Sequence, residues 1–155
     1  MIKYFKLSQD KRLSNAVLLS VPDKIRGYFE AKTGNTQNLD DALLSPIKES
    51  KHNFYPDILD MQIFMIKDAV KEVFDLFLPG HEYKHCCFIE GTSDKYTLYH
   101  IPTLEIMSVE KAQKQNAHIF RIADTKEAEI AVSLEAVEAV LRRNPVGVRV
   151  EAISD

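Results

Sequence analysis

Apolar residues recur along this chain in two rhythms, and the clearest change of rhythm lies in residues 127–153. Ile130 and Val132 sit in a short apolar run. Leu134, Val137, Val140 and Leu141 then fall three or four apart, and Val146, Val148 and Val150 alternate with Gly147, Arg149 and Glu151. The first spacing predicts a helix over 134–143 with one apolar stripe, and the alternation predicts a strand over 146–153. Ser133 stands at the N-cap position and Glu135 in the first turn, where free helix N–H groups favour an acceptor and a carboxylate. Glu138 precedes Arg142 by four residues, the favourable order for a surface pair. Asn144-Pro145 stops the helix.

The same order occurs earlier in the chain. Ile63 takes the place of Ile130, Met65 of Val132, Ala69 of Ala136, Val70 of Val137, Val73 of Val140 and Phe74 of Leu141. Leu78-Pro79-Gly80 then plays the part of the later Pro-Gly break. The chain is therefore expected to use a strand–helix–strand unit twice, over 62–90 and 129–153. Two units fall short of the three or so that a solenoid needs.

The remaining segments are read in the same way. KYFKL at 3–7 predicts a strand that docks the N-terminus. Residues 16–21 form a continuous apolar run ended by Pro22, which predicts a buried strand. Residues 23–50 carry little periodicity beyond a short helix near 39–44, and suggest a surface loop of the kind that carries binding contacts. A helix over 67–78 turns Ile66, Val70, Val73, Phe74 and Phe77 to one side and a charged face, with a Lys71–Asp75 pair, to the other. Runs at 83–90 and 95–101, joined by Gly91-Thr92-Ser93-Asp94, predict a hairpin. Residues 106–116 read as helical or irregular, and 117–123 as a strand. Together these predict an α+β fold in a single domain over 1–155: a mostly antiparallel sheet of six or seven strands, two principal helices, and two strand–helix–strand pseudo-repeats.

Composition narrows the function classes. The 155 residues are 45% hydrophobic and 28% charged, as in an ordinary globular protein. A chain of this length buries about 70% of its unfolded surface and needs no disulfide or metal to hold a core. Its net charge of −3 argues against nucleic acid or a membrane surface as partner, since both call for basic patches. No apolar stretch is long enough to span a bilayer. The charged, alternating N-terminus does not read as a secretory signal. With two adjacent cysteines in the whole sequence, a reduced, cytoplasmic setting fits best.

Candidate chemistry gathers in His81-Glu82-Tyr83-Lys84-His85-Cys86-Cys87. Histidine and cysteine together invite a zinc site or a nucleophilic thiol with an imidazole base. On a strand, however, Cys86 and Cys87 point to opposite faces, and His85 with Cys87 supplies two ligands where zinc takes four. The plainer reading places one cysteine in the core as a small hydrophobe and His85 on a strand surface. A small enzyme or a metal- or ligand-binding domain built on His81, His85, Cys86 and Cys87 stays as the alternative function. His100 and His118 each lie alone within a strand and read as structural. Asp40, Asp41, Asp57 and Asp60 read as turn formers or caps. The five glycines make neither a phosphate-cradling loop nor a dinucleotide fingerprint. No catalytic, cofactor or metal residue is assigned. Tyr28, Phe29, Phe54 and Tyr55, with Asp40 and Asp41, are the candidate partner-binding residues, because aromatics in weakly ordered polar segments serve as interface anchors.

Several of these stretches together resemble immunity proteins of bacterial polymorphic-toxin systems: KYFKL, YPDILDMQIFMIKDAVKEVFDLFLPG, the strand pair with Tyr99, HIFRI, and EIAVSLEAVEAVLRRNPVGVRVEAI. In that group the chain ends on Phe-Arg, a short acidic loop, an apolar-Val-Ser strand end, a helix, and a glycine before a last strand. Here those are Phe120-Arg121, residues 124–129, Ile130-Ala131-Val132-Ser133, the helix, then Gly147 and Val148–Val150. The likeness covers roughly residues 54–155 and leaves 8–53 outside it. In the earlier unit Ile66 stands where the later one has Ser133. The resemblance implies a cytosolic protein that binds a cognate toxin and neutralises it without catalysis. It brings no catalytic residues to this sequence. A mildly acidic surface would help such a protein find a basic toxin face.

Overall fold

The structure, a computed structural model, describes residues 1–92 and 94–153. In chain order its elements are β1 (Tyr4–Gln9), α1 (Tyr28–Lys32), β2 (Ala42–Ile47), β3 (Ile58–Leu59), β4 (Met65–Ile66) and α2 (Asp68–Phe77). They continue with β5 (Tyr83–Glu90), β6 (Tyr96–Pro102), β7 (Ile106–Met107), α3 (Val109–Gln115), β8 (Ile119–Ile122), β9 (Ile130–Ser133), α4 (Leu134–Leu141) and β10 (Val148–Ala152). They form two five-stranded sheets, ordered β10-β1-β9-β8-β7 and β2-β5-β6-β4-β3. Neighbours are antiparallel except β7 with β8 and β2 with β5. The fold is α+β, with mostly antiparallel sheets.

Both strand–helix–strand units form, and both have the same topology. From β9 the chain runs through α4 to β10, and β1 inserts between the two strands, antiparallel to each. From β4 it runs through α2 to β5, and β6 inserts in the same way. Each unit is thus completed by a strand from elsewhere in the chain.

The two helices pack together inside one shared core. Val70, Val73 and Phe74 of α2 meet Ala136, Val137 and Val140 of α4, with Leu7, Ile130 and Val132 from one sheet and Ile58 and Ile66 from the other. The aligned pairs Val70/Val137 and Val73/Val140 are all buried, whereas Phe74 is 0% exposed and Leu141 50%. Leu141 is the last helical residue of α4, while Phe74 lies a turn inside α2.

Each sheet is also covered on its other side. Behind the second sheet, Val17, Leu19, Tyr28, Ala31 and Leu39 pack on Leu43, Cys86, Phe88, Tyr99 and Ile101. Behind the first, Ala112 of α3 joins Tyr4, Phe120 and Ala131, and the Tyr4 and Phe120 rings meet edge to face at 5.0 Å.

Three expectations are corrected. Residues 16–21 form no strand: Ala16 makes a lone bridge to Phe54, and Leu19 N donates to the Gln62 side chain at 2.7 Å. Leu18 and Val21 are exposed, and Val21 turns left-handed at φ 45°, which ends any extended path. The short helix expected near 39–44 is instead β2, where Leu43 and Ser45 face inward and Ala42, Leu44 and Pro46 outward. Helix α1 and a 3-10 turn at Pro22–Lys24 supply the local structure earlier in that segment. Finally, the described residues hold ten strands rather than six or seven. The additions include β2 and the two-residue strands β3 and β7, the last two too short to show a period.

Candidate protein-binding face

The second sheet has one face that is only half covered. Along β5, Cys86 and Phe88 turn to the buried side, and His85, Cys87 and Ile89 to the other. Strand register extends this outer set across three strands. Pro46, Ile89 and Tyr96 lie in one row, and Leu44, Cys87 and Leu98 in the next. Helix α2 reaches this face at its far end, where Tyr83 donates to Asp75 at 2.8 Å and His100 meets Asp68 at 2.6 Å. The two apolar rows lie away from it. Leu44 is 70% exposed, Tyr96 69% and Leu98 42%, while Cys87 and Ile89 are half-buried. A contiguous exposed apolar patch marks an interaction surface more often than single exposed apolar residues do. The β2 edge beside it contains Pro46, which has no N–H to offer a further strand. A partner would therefore dock on the face rather than extend the sheet.

The candidate partner residues separate in space. Tyr28 is a correction: it is 7% exposed and belongs to the core behind the second sheet, because α1 turns it inward together with Ala31. Phe29, its neighbour, is 69% exposed. Asp40 and Asp41 are exposed; Arg26 lies 3.9 Å from Asp40, and the Asp41 carbonyl accepts from His85 N at 2.9 Å. Phe54 and Tyr55 are half-buried and serve the scaffold. Phe54 brackets Ala16, its N–H donating to the Asn15 carbonyl and its carbonyl accepting from Val17 N, and the Tyr55 ring packs against Phe88. The hairpin tip at Gly91–Asp94, the next place to look for contacts, includes Ser93, which lies outside the described residues.

The His/Cys cluster divides as alternation requires. Cys86 is buried, with its thiol pushed up to about 12 by desolvation, which keeps it protonated and unreactive at neutral pH. His85 and His100 face each other across the β5–β6 pair, with their Nδ1 atoms 3.0 Å apart, so one proton serves both nitrogens. His100 is thus not alone: its Nε2 meets the exposed Asp68 carboxylate. His81 Nε2 accepts from Thr103 N at 3.1 Å, and His118 Nδ1 pairs with Ser133 Oγ at 2.8 Å. Among the described residues, no group of three or more His, Cys, Asp or Glu side chains is placed to hold a metal ion. No helix there is long and apolar enough to cross a membrane.

Leu44, Pro46, Ile89, Tyr96 and Leu98 were missed as surface candidates, yet the sequence held a signal. In 83–102 both alternating sets carry apolar residues, Cys86, Phe88, Tyr99 and Ile101 in one and Cys87, Ile89, Tyr96 and Leu98 in the other, and such strands ask for cover on both faces. No protein-family model matches this chain, and no curated protein matches it either.

Proposed function

We propose that this protein is a binding inhibitor of the immunity type, which neutralises a cognate bacterial toxin by occupying part of its surface. The observation that carries the reading is the open apolar face of Leu44, Leu98 and Tyr96 with Cys87 and Ile89 between them. Such a patch costs solubility unless a partner covers it, and its flat, strand-built shape suits a protein rather than a small ligand. The sequence likeness to immunity proteins supports the same reading. Cys86 and the histidines beside it are spent on the core and on mutual hydrogen bonds, which leaves the binding role as the better use of this sheet.

The test is co-expression with the protein encoded next to it, followed by co-purification and an affinity measurement. Rescue from toxicity with a stable complex is expected. Leu44→Asp and Leu98→Asp change exposed positions, so the fold should stand while affinity falls by about tenfold or more for each. Failure to bind or rescue would overturn the immunity reading. Unchanged affinity in both variants would move the interface off this face.

A further inference from the structure

A second feature lies apart from the apolar face. Strand β1, the end of α1, the 60–64 loop and the 126–130 turn enclose a cleft of about 660 Å3, within the usual size range of small-molecule sites. Arg121 of β8 lines it and is 3% exposed. Its side chain passes against Gly34, where φ is +111° and a Cβ would fall 2.6 Å from Arg121 Cδ. Nη1 donates to the Ala128 carbonyl at 3.1 Å, and the guanidinium lies 5.8 Å from the Phe64 ring centroid. Nε has no partner.

No carboxylate pairs with Arg121 among the described residues. Three of the four acids lining the cleft are engaged elsewhere, Glu129 with Lys6, Asp60 with Lys11 and Glu151 with Arg149, and the fourth, Glu127, is exposed. Asp60 Oδ1 lies 3.3 Å from Lys11 Nζ without hydrogen-bond geometry, an ion pair by distance alone. Lys32 and Lys126 add further positive charge. The lining thus carries six basic side chains against four acidic ones, in a chain whose net charge is −3. Desolvation lowers the Arg121 guanidinium to about 10, so it remains cationic at neutral pH. An ionised group taken from water without a counter-charge is among the costliest things a fold can hold. Phe29 and Met61, both exposed, contribute apolar surface to the same cleft.

We propose that this cleft binds a small organic oxyanion, a carboxylate or a phosphate monoester on an apolar body. Its charged end pairs with Arg121, and its body lies against Phe29 and Met61. The site is independent of the protein-binding face and does not rest on the immunity reading.

The experiment titrates full-length protein with benzoate and, separately, phenyl phosphate, following the arginine Nε–H resonances by NMR. A saturable shift of the Arg121 Nε–H signal is expected with at least one probe. Response to benzoate alone identifies a carboxylate site, response to phenyl phosphate alone a phosphate site, and response to both general oxyanion recognition. Arg121→Met should weaken binding by about tenfold or more, in line with loss of a charge-assisted contact. Where that variant does not fold, Phe29→Ala and Lys126→Ala act on exposed positions and should each weaken binding severalfold. The proposal is overturned if neither probe shifts Arg121 in the wild type, or if a folded Arg121→Met binds equally well.

Discussion

At the scale of single residues, burial decides what each polar group does. Tyr99 has no exposure, and its hydroxyl donates to the Pro56 carbonyl at 2.6 Å, so a polar atom in the core is satisfied. His81 and His85 show the opposite strain. Burial holds both imidazoles below their ordinary range; His100 and Lys71 reinforce this at His85, while Asp75 and Glu82 offset part of it at His81. In the unfolded chain they gain protons near pH 6.5, and in the folded chain only at lower pH. Between those limits the unfolded state binds more protons, so stability is intact above about 6.5 and declines as pH falls below it. Asp10, Asp75 and Glu90, which the fold holds below the usual carboxylate range, act in the same direction only under about pH 4.5. The midpoint of urea unfolding should therefore drop between pH 7 and pH 5, and drop less in a His81→Gln/His85→Gln variant. Equal drops would assign the effect to other groups.

At the scale of elements, the two units differ in how their helices begin. Ser133 caps α4: its Oγ accepts from Ala136 N at 3.1 Å and pairs with His118 at 2.8 Å, and the residue is 1% exposed. Helix α2 has Lys67 as its N-cap and no side-chain cap, and it begins one residue later than the alignment of Ile66 with Ser133 places it. Ser133→Ala should cost about 1–2 kcal/mol in chemical denaturation, since it removes a cap and strands a buried partner. A loss below a few tenths would mean that α4 draws its start from packing alone. The stripe of α4 can be tested at its end. Leu141→Asp falls on a half-exposed position and should cost under about 1 kcal/mol, although periodicity alone ranks Leu141 with Val140. Thermal unfolding of that variant beside the wild type decides the point.

At the scale of the molecule, one core joins both sheets through α2 and α4. Val140, 1% exposed, sits in that core. Val140→Asp would bury an unpaired charge at a cost on the order of 4 kcal/mol or more, against a typical domain stability of about 5–15 kcal/mol. Loss of the cooperative thermal transition in both sheets is the expected result. A near-wild-type transition would show that the helices do not share a core. The two strand–helix–strand units, their inner valines, the Ser133 cap and the β5–β6 hairpin were legible in the sequence, because periodicity and capping are set by residues a few places apart. Only the tertiary structure decided that β1 and β6 insert between the strands of each unit, that Tyr28 turns inward while Phe29 does not, and that α2 stops short of Leu44 and Leu98. It also decided that the guanidinium of Arg121, one charge in the apolar run HIFRIA, finds no acid among the described residues. Cover and charge pairing join residues far apart in the chain, and no local spacing records them.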